Sequence, residues 1–168
     1  MTRRALLLAT ISLTMLCLPT SADEEKTLQA EDEFNLAKDG LALQGYDPVA
    51  YFKEGGATPT PGKGSITHTL GKRTYRFATE ANRDRFKASP EKYEPAYGGW
   101  CAYAMGDSGE KVEINPKAFI ITDGQLFLFY KTFLTDTRKP WTENEATLKP
   151  KADTAWERIS AAPGKKNP

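Results

Sequence analysis

The sequence is poor in the residues that build metal centres and catalytic dyads. Its 168 residues include one histidine and two cysteines. It contains no C-x-x-C, H-E-x-x-H, G-x-S-x-G, Walker loop or G-x-G-x-x-G pattern. One histidine and one or two cysteines cannot fill a tetrahedral zinc site without carboxylates or a second chain. The usual zinc, nucleotide-binding and serine-hydrolase signatures are therefore excluded.

The chain also lacks an excess of charge of either sign. It has 23 Lys and Arg against 22 Asp and Glu. A chain so close to neutral has no general electrostatic attraction to nucleic acid or to anionic membranes. We therefore expect no nucleic-acid partner, and the sequence names no protein partner.

Residues 1–22 have the pattern of an export signal. Arg3 and Arg4 precede an apolar run over 5–18, and small residues ending at Ala22 form a cleavage site. The apolar run is too short to cross a bilayer comfortably, so we expect no stable membrane insertion after cleavage. The arginine pair also resembles a twin-arginine signal, which leaves the export route open. The pattern predicts a periplasmic or secreted protein, from which Cys17 is removed.

The remaining sequence predicts a single α+β domain. We expect an acidic, mobile leader over 23–40, the domain over 41–160 and a disordered tail over 161–168. Alternating patterns predict two hairpins, and short helices with a longer C-terminal helix are predicted to pack on this small antiparallel sheet. The predicted hairpin arms are 65–70 with 74–77 and 118–122 with 125–130; the predicted helices begin near 47, 80, 90 and 142.

The stretch Tyr97–Gly106 contains the one cysteine of the predicted mature chain, Cys101. Gly98 and Gly99 before it allow positive φ or the close approach of another segment. A lone thiol in an exported protein is buried and inert, joined to another molecule, or functional. Its neighbours in sequence include no lysine or histidine that would lower its pKa, so the sequence leaves these alternatives open.

His68 shares a strand face with Ile66 and Leu70, which predicts that its ring points inward. An inward histidine is either a hydrogen-bonded core residue or, if the fold brings it to Cys101, a ligand. Cu(I) accepts few, soft ligands and would suit this pair better than zinc. A copper or zinc ion held by Cys101 and His68 is therefore the metal site to test.

Aromatic residues and one carboxylate could line a ligand pocket near these two residues. Asp47 precedes Pro48, a position that favours a helix cap over a ligand or a base. The tyrosines and the tryptophan are equally suited to the core. The candidate pocket residues are Tyr46, Asp47, Tyr75, Tyr97, Trp100 and Tyr103.

Four motifs resemble those of the YHS-domain proteins of bacteria. They are Gly45–Phe52, Tyr75–Phe86, Pro90–Tyr93 and Tyr97–Tyr103, within a resemblance that extends from about Leu41 to Trp156. YHS domains resemble the TRASH-type modules found beside copper and heavy-metal transporters. The resemblance therefore implies metal handling.

One departure from the family pattern bears on this implication. The metal-binding relatives carry Tyr-x-Phe-Cys-x-x-x-Cys, whereas this chain has Ala78 and Asn82 at the two cysteine positions. The usual thiolate ligands are absent, and only Cys101, in another motif, could supply one.

Three functions follow as hypotheses. The first is an exported YHS-domain binding protein with a soft metal at Cys101. The second is a thiol-dependent enzyme using Cys101, which ranks lowest because no base or acid is recognisable near it. The third is a structural or interaction module without a small-molecule site.

Overall fold

The computed structural model describes residues 33–161, and every structural statement below concerns this range. The predicted signal peptide, the first part of the acidic leader and positions 162–168 of the tail lie outside the described residues. The strands are β1 (Leu36–Ala37), β2 (Leu41–Ala42), β3 (Lys63–Leu70), β4 (Arg73–Phe77), β5 (Asn115–Thr122) and β6 (Gln125–Phe129). The helices are α1 (Glu80–Ala88), α2 (Pro90–Tyr93), α3 (Ala102–Asp107) and α4 (Arg138–Ala161), joined in places by single 3₁₀ turns.

The predicted α+β class with two hairpins is confirmed. The strands form two sheets, one of four strands in the order β1-β2-β4-β3 and one of the two strands β5-β6. Both hairpins are antiparallel, whereas β2 pairs in parallel with β4 through Leu41 and Thr74. The second hairpin has its Asp123–Gly124 turn at positive φ for both residues, as a type I′ turn requires.

Helix α1 begins where its sequence predicts. The side chain of Thr79 accepts a hydrogen bond from the backbone N–H of Asn82, which satisfies one of the unpaired donors of the first turn. The spacing of this helix predicts Ala81 or Asn82, together with Phe86, as its inward residues. Asn82 and Phe86 are buried, whereas Ala81 is exposed. Phe86 packs against Tyr75 and Phe77 of β4, so this helix covers one face of the four-stranded sheet.

Strand β6 is buried on both faces and divides the interior into two clusters. Leu126 and Leu128 point into the first cluster, beneath the four-stranded sheet. Phe127 and Phe129 point into the second, where both rings contact Trp141 of α4. The alternation of side chains along a strand produces this division.

Residues 33–40, which the sequence assigned to a mobile leader, belong to the fold. Strand β1 pairs with β2, and Asn35 donates to the carbonyl oxygens of both Gly98 and Gly99. Arg73 lies over the ring of Phe34 at 4.3 Å from its centroid. The acidic composition suggested a solvated segment, but these backbone and ring contacts hold it against the glycine pair.

Helix α4 begins at Arg138, four residues before the predicted start, and contains Pro150 within it. The helical spacing of Ala152, Ala155, Trp156 and Ile159 predicts that they share one inward face. All four pack in or on the second cluster. The backbone departs from helical geometry at Asn144 and not at Pro150. A search of positions 33–161 finds no helix with the length and apolar character needed to cross a membrane.

Candidate functional site

Cys101 lies fully buried beside strand β6. Its side chain has no exposed surface, and its backbone N–H donates to the carbonyl of Val112 at 3.0 Å. The residue forms a bridge with Leu128 of β6 and directly precedes α3. It belongs to the first cluster, among aromatic and aliphatic side chains. A thiol at such a place is shielded from solvent and from reagents.

Two polar groups contact the Cys101 sulfur, and both come from the segment that follows β6. The backbone N–H of Tyr130 donates to Sγ at 3.3 Å, and Thr137 Oγ1 lies 3.5 Å from it. The Thr137 hydroxyl donates in turn to the Tyr130 carbonyl at 2.9 Å. The thiol hydrogen can therefore be donated to Thr137 Oγ1, whose own hydrogen is already used. Cys101 thus connects both ends of residues 130–137, which we call the 130–137 loop.

Polar contacts close the 130–137 loop on itself. Lys131 and Asp136 pair across it, with Nζ 2.6 Å from Oδ2. At its far end Thr132 and Thr135 form a tight turn, in which the Thr132 N–H donates to the Thr135 carbonyl at 2.8 Å. The Thr135 N–H donates back to Thr132 Oγ1 at 3.2 Å. The 130–137 loop therefore projects from the fold and keeps its shape through these ion-pair and hydrogen-bond contacts, not through apolar packing.

Asp136 forms ion pairs with both Lys131 and Arg138 at the base of this loop. Arg138 donates to both of its carboxylate oxygens, from Nε at 2.9 Å and from a terminal nitrogen at 2.5 Å. The Arg138 guanidinium, assisted by Lys131, holds the pKa of the Asp136 carboxyl well below its ordinary value. The same pairing raises the pKa of Arg138.

The tip of the loop presents two apolar side chains to solvent. Phe133 is 100% exposed and Leu134 is 89% exposed. With Tyr130 they make up the exposed large hydrophobic residues of the described chain, so all three lie in this one loop. Single exposed hydrophobic residues are common, but an adjacent pair on a braced turn forms a concentrated apolar contact surface.

His68 lies in β3, half-buried, with Tyr75 as its cross-strand partner. Its ring contacts the ring of Phe86 at 6.1 Å between centroids. The contact supports the core interpretation of this histidine. Within residues 33–161, no three His, Cys, Asp or Glu side chains form a group that could hold a metal ion.

The Asp47 carboxylate is fully buried and accepts four N–H groups. Its Oδ1 atom accepts from the backbone of Val49 at 2.9 Å and of Ala50 at 3.3 Å, which are the capping contacts expected from the sequence. Its Oδ2 atom accepts from the backbone of Ala78 at 2.9 Å and from the side-chain amide of Asn82 at 2.7 Å. Ala78 and Asn82 are the two positions at which the resemblance to YHS domains would place thiol ligands. The Asp47 carboxylate and two N–H donors thus meet at these positions, and the residues present do not supply the two thiolates of that pattern.

The aromatic candidates are divided between the two clusters and do not gather at one place. Tyr46 and Tyr75 pack in or on the first cluster, Tyr97 and Trp100 in or on the second, and Tyr103 contacts both. Three of them have polar partners within the fold: Tyr75 donates to Glu94 at 2.6 Å, Tyr97 to Asp153 at 2.9 Å and Trp100 to the Glu33 carbonyl at 2.7 Å.

Tyr97 and Tyr51 remain neutral donors in this interior. Burial raises the pKa of the Tyr97 phenol, and its hydrogen bond to Asp153 raises it further. Burial also raises the pKa of Tyr51, which donates to the Pro116 carbonyl at 2.8 Å. Neither phenol is placed to act as a general base.

A surface groove of about 480 Å³ opens between α3 and α4. Its lining includes the apolar Met105 and Ala155 and the cations Lys151 and Arg158. None of the candidate metal-binding or pocket residues from the sequence lines it.

Comparison of the chain with protein-family models, with curated proteins and with solved structures finds no match. The resemblance to YHS domains therefore remains an interpretation of the sequence motifs.

Sequence reasoning missed the loop tip. The signal was present as Phe133 and Leu134 between Thr132 and Thr135, a short apolar pair outside any helical or alternating pattern. Such a pair is equally compatible with a buried turn, and only the fold shows that it is exposed.

Proposed function

We propose that this protein is an exported interaction module that docks on a partner through Phe133 and Leu134. The proposal rests on their nearly complete exposure at the tip of a loop that the Lys131–Asp136 bridge closes. In this proposal Cys101 is a structural residue, because its sulfur connects the two ends of the loop. The proposal corresponds to the third of the functions considered from the sequence.

The energetics of the loop support a role in contact with another surface. Burying a Phe or Leu side chain contributes about 1.5–3 kcal/mol each. The folded chain does not gain this contribution from Phe133 or Leu134, since neither side chain is packed against the protein. The loop is ordered instead by the Lys131–Asp136 pair and the Thr132–Thr135 turn. A partner that covers the tip gains this apolar contribution without first having to order the loop.

The metal and thiol-enzyme hypotheses have less support from the geometry. A substrate or an incoming ion needs access to a thiolate, whereas the sulfur of Cys101 is buried and both of its polar contacts are groups of the fold.

Binding to envelope fragments tests the proposal, because such fragments carry both lipids and envelope proteins. The exported chain is purified and sedimented with fragments washed free of peripheral proteins. We expect the bound fraction to fall at least about tenfold in the Phe133→Ser, Leu134→Ser double variant. The matched control exchanges the two residues, Phe133→Leu with Leu134→Phe, which keeps the apolar area and should keep the binding. Equal binding by the serine variant and the wild type would overturn the proposal.

A further inference from the structure

The polarity of the 130–137 loop changes in layers from its tip to its base. Phe133 and Leu134 form an apolar end, and the hydroxyl residues Thr132 and Thr135 lie immediately below it. The next layer holds Lys131, Asp136 and the partly exposed ring of Tyr130. A bilayer interface has the same order from inside to outside: hydrocarbon, then hydrogen-bonding glycerol and carbonyl groups, then charged headgroups.

The dimensions of the loop also agree with an interface. Lys131 lies two positions before Phe133 in the chain, a separation that spans at most roughly 7 Å. Peripheral proteins bury apolar groups to a depth of about 5–10 Å at the boundary between headgroups and acyl chains. Inserting only the tip would therefore leave the cations at the level of the lipid phosphates.

The segment that includes the tip has an excess of positive charge along the sequence, although the whole chain is close to neutral. Residues 131–139 carry three cations and one carboxylate: Lys131, Arg138, Lys139 and Asp136. Asp136 pairs with both Lys131 and Arg138, and Lys139 is exposed beside them. A surface of negative charge is the complement of this arrangement, and each lysine or arginine near an anionic leaflet adds to the binding.

The small size of the apolar surface favours a lipid over a protein partner. A stable protein interface needs about 800 Å² on each side, with shape complementarity around a central contact. Here the exposed large hydrophobic residues of the described chain are three, and hydroxyl and charged groups surround them. A bilayer requires no matching shape, only an apolar layer beneath a charged one.

A second copy of this chain is a poor partner for the tip. The groove between α3 and α4 could admit an apolar side chain beside Met105 and Ala155, but its lining also carries Lys151 and Arg158 against the single carboxylate of Asp107. The base of the tip has the same sign, and like charges brought together oppose binding.

From these observations we infer that Phe133 and Leu134 insert reversibly into the interface of an anionic lipid membrane, with Lys131, Arg138 and Lys139 at the headgroups. The inference rests on the proposed function and names the partner of the same tip. The binding is peripheral and reversible, because two side chains and a few cations provide less than a full lipid anchor.

Sedimentation with protein-free vesicles tests the inference. One set of vesicles contains equal parts of phosphatidylglycerol and phosphatidylcholine, and the other contains phosphatidylcholine alone. The protein is purified as the cell processes it, and all variants share one N terminus, so differences between variants report on the loop. We expect binding to the anionic vesicles, roughly 100-fold weaker partitioning for Phe133→Ser with Leu134→Ser, and weaker binding as salt rises.

Two charge variants distinguish an effect of the cations near the tip from an effect of the net charge of the chain. Lys139→Glu should reduce partitioning roughly tenfold, while Lys87→Glu, the same change on α1, should leave it nearly unchanged. Equal effects of the two variants would overturn the inference, as would vesicle binding that does not depend on the tip.

The outcomes distinguish the lipid inference from the proposed function. Tip-dependent binding to envelope fragments without binding to vesicles would overturn the lipid inference and identify a protein receptor, leaving the interaction module intact. Loss of tip dependence in both experiments would overturn both proposals.

Discussion

Thr137 Oγ1 lies 3.5 Å from the sulfur of Cys101, although the two residues are 36 positions apart in the chain. The Thr137 hydroxyl donates to the carbonyl of Tyr130, and the N–H of Tyr130 donates to the sulfur. The buried thiol is thus one member of a small polar network that joins the end of β6 to the start of α4. The physical consequence is that the position of the exposed tip depends on a residue in the interior.

Replacing Cys101 should lower the stability of the protein, and no reaction or metal binding should be lost with the thiol. We expect Cys101→Ala to lower the free energy of unfolding by about 1–2 kcal/mol, because it removes a hydrogen-bonding partner of Tyr130 and leaves a small cavity. Thr137→Val keeps the shape and should cost about 1 kcal/mol. Urea unfolding measures both.

In the native chain, iodoacetamide should label Cys101 slowly until denaturant is added, because the thiol is buried. Fast labelling of the native chain would instead favour the thiol-enzyme hypothesis.

Metal retention distinguishes the structural role of Cys101 from the soft-metal hypothesis. We expect Cys101→Ser to retain as much metal as the wild type after incubation with Cu(I) or Zn(II) under reducing conditions and desalting, because the sulfur is buried and its polar contacts belong to the fold. Elemental analysis gives the metal content. About one ion per chain, lost in the serine variant, would restore the metal hypothesis.

The Asp47 carboxylate should be among the most important polar groups for stability. Asp47→Ala leaves the N–H groups of Ala78 and Asn82 without their acceptor in the interior, and should lower the free energy of unfolding by about 4 kcal/mol. Thr79→Ala, which removes only the cap of α1, should cost about 1 kcal/mol. Denaturant unfolding of the two variants compares them. Similar small losses would show that water reaches Asp47 and replaces its contacts.

Gly98 should tolerate no side chain. Its φ is +60°, and an added Cβ would lie 2.5 Å from the Trp156 ring and 3.2 Å from Phe34 Cα. Gly98→Ala should therefore lower the free energy of unfolding by more than about 3 kcal/mol, from strain and overpacking together. Gly124→Ala is the matched control, since φ is +76° there but the space is open; it should cost about 1–2 kcal/mol. Thermal unfolding compares the two variants. Equal losses of stability would show that the positive φ, and not the contact with Trp156, sets the cost of the added Cβ.

Acid should loosen the 130–137 loop when Asp136 is protonated. The folded-state pKa of Asp136 lies below its ordinary value of 3.8, chiefly because of Arg138. Its pairing therefore contributes stability above that value, and the contribution is lost as the pH falls below about 4 and through the folded-state pKa. We expect the amide signals of Phe133 and Leu134 to shift with protonation of Asp136. Asp136→Asn should show the loosened signals already at neutral pH and no such acid transition; an unchanged transition in that variant would assign it to another carboxyl.

The elements that the sequence predicted well are those with a local physical cause. Asp123–Gly124 needs only its own φ values to make a turn, and Thr79 caps α1 with a hydrogen bond three residues away. The alternation in β6 placed Leu126 and Leu128 on one side and Phe127 and Phe129 on the other, which is how the two clusters form. The interpretation of residues 33–40 as a mobile leader, in contrast, used composition alone, and the contacts of Asn35 with Gly98 and Gly99 are not visible in composition.

By itself, the sequence determined the α+β class, the two hairpins, the caps and the special character of the Gly98–Cys101 stretch, since turns, caps and periodicity act over a few residues. Only the tertiary structure decided what Cys101 does and which residues face solvent. The sulfur lies beside Tyr130 and Thr137 because β6 and α4 meet there, and Phe133 and Leu134 are exposed because polar pairs close the loop beneath them. Contacts between distant segments arise from the packing of the whole chain, which no short stretch of sequence encodes.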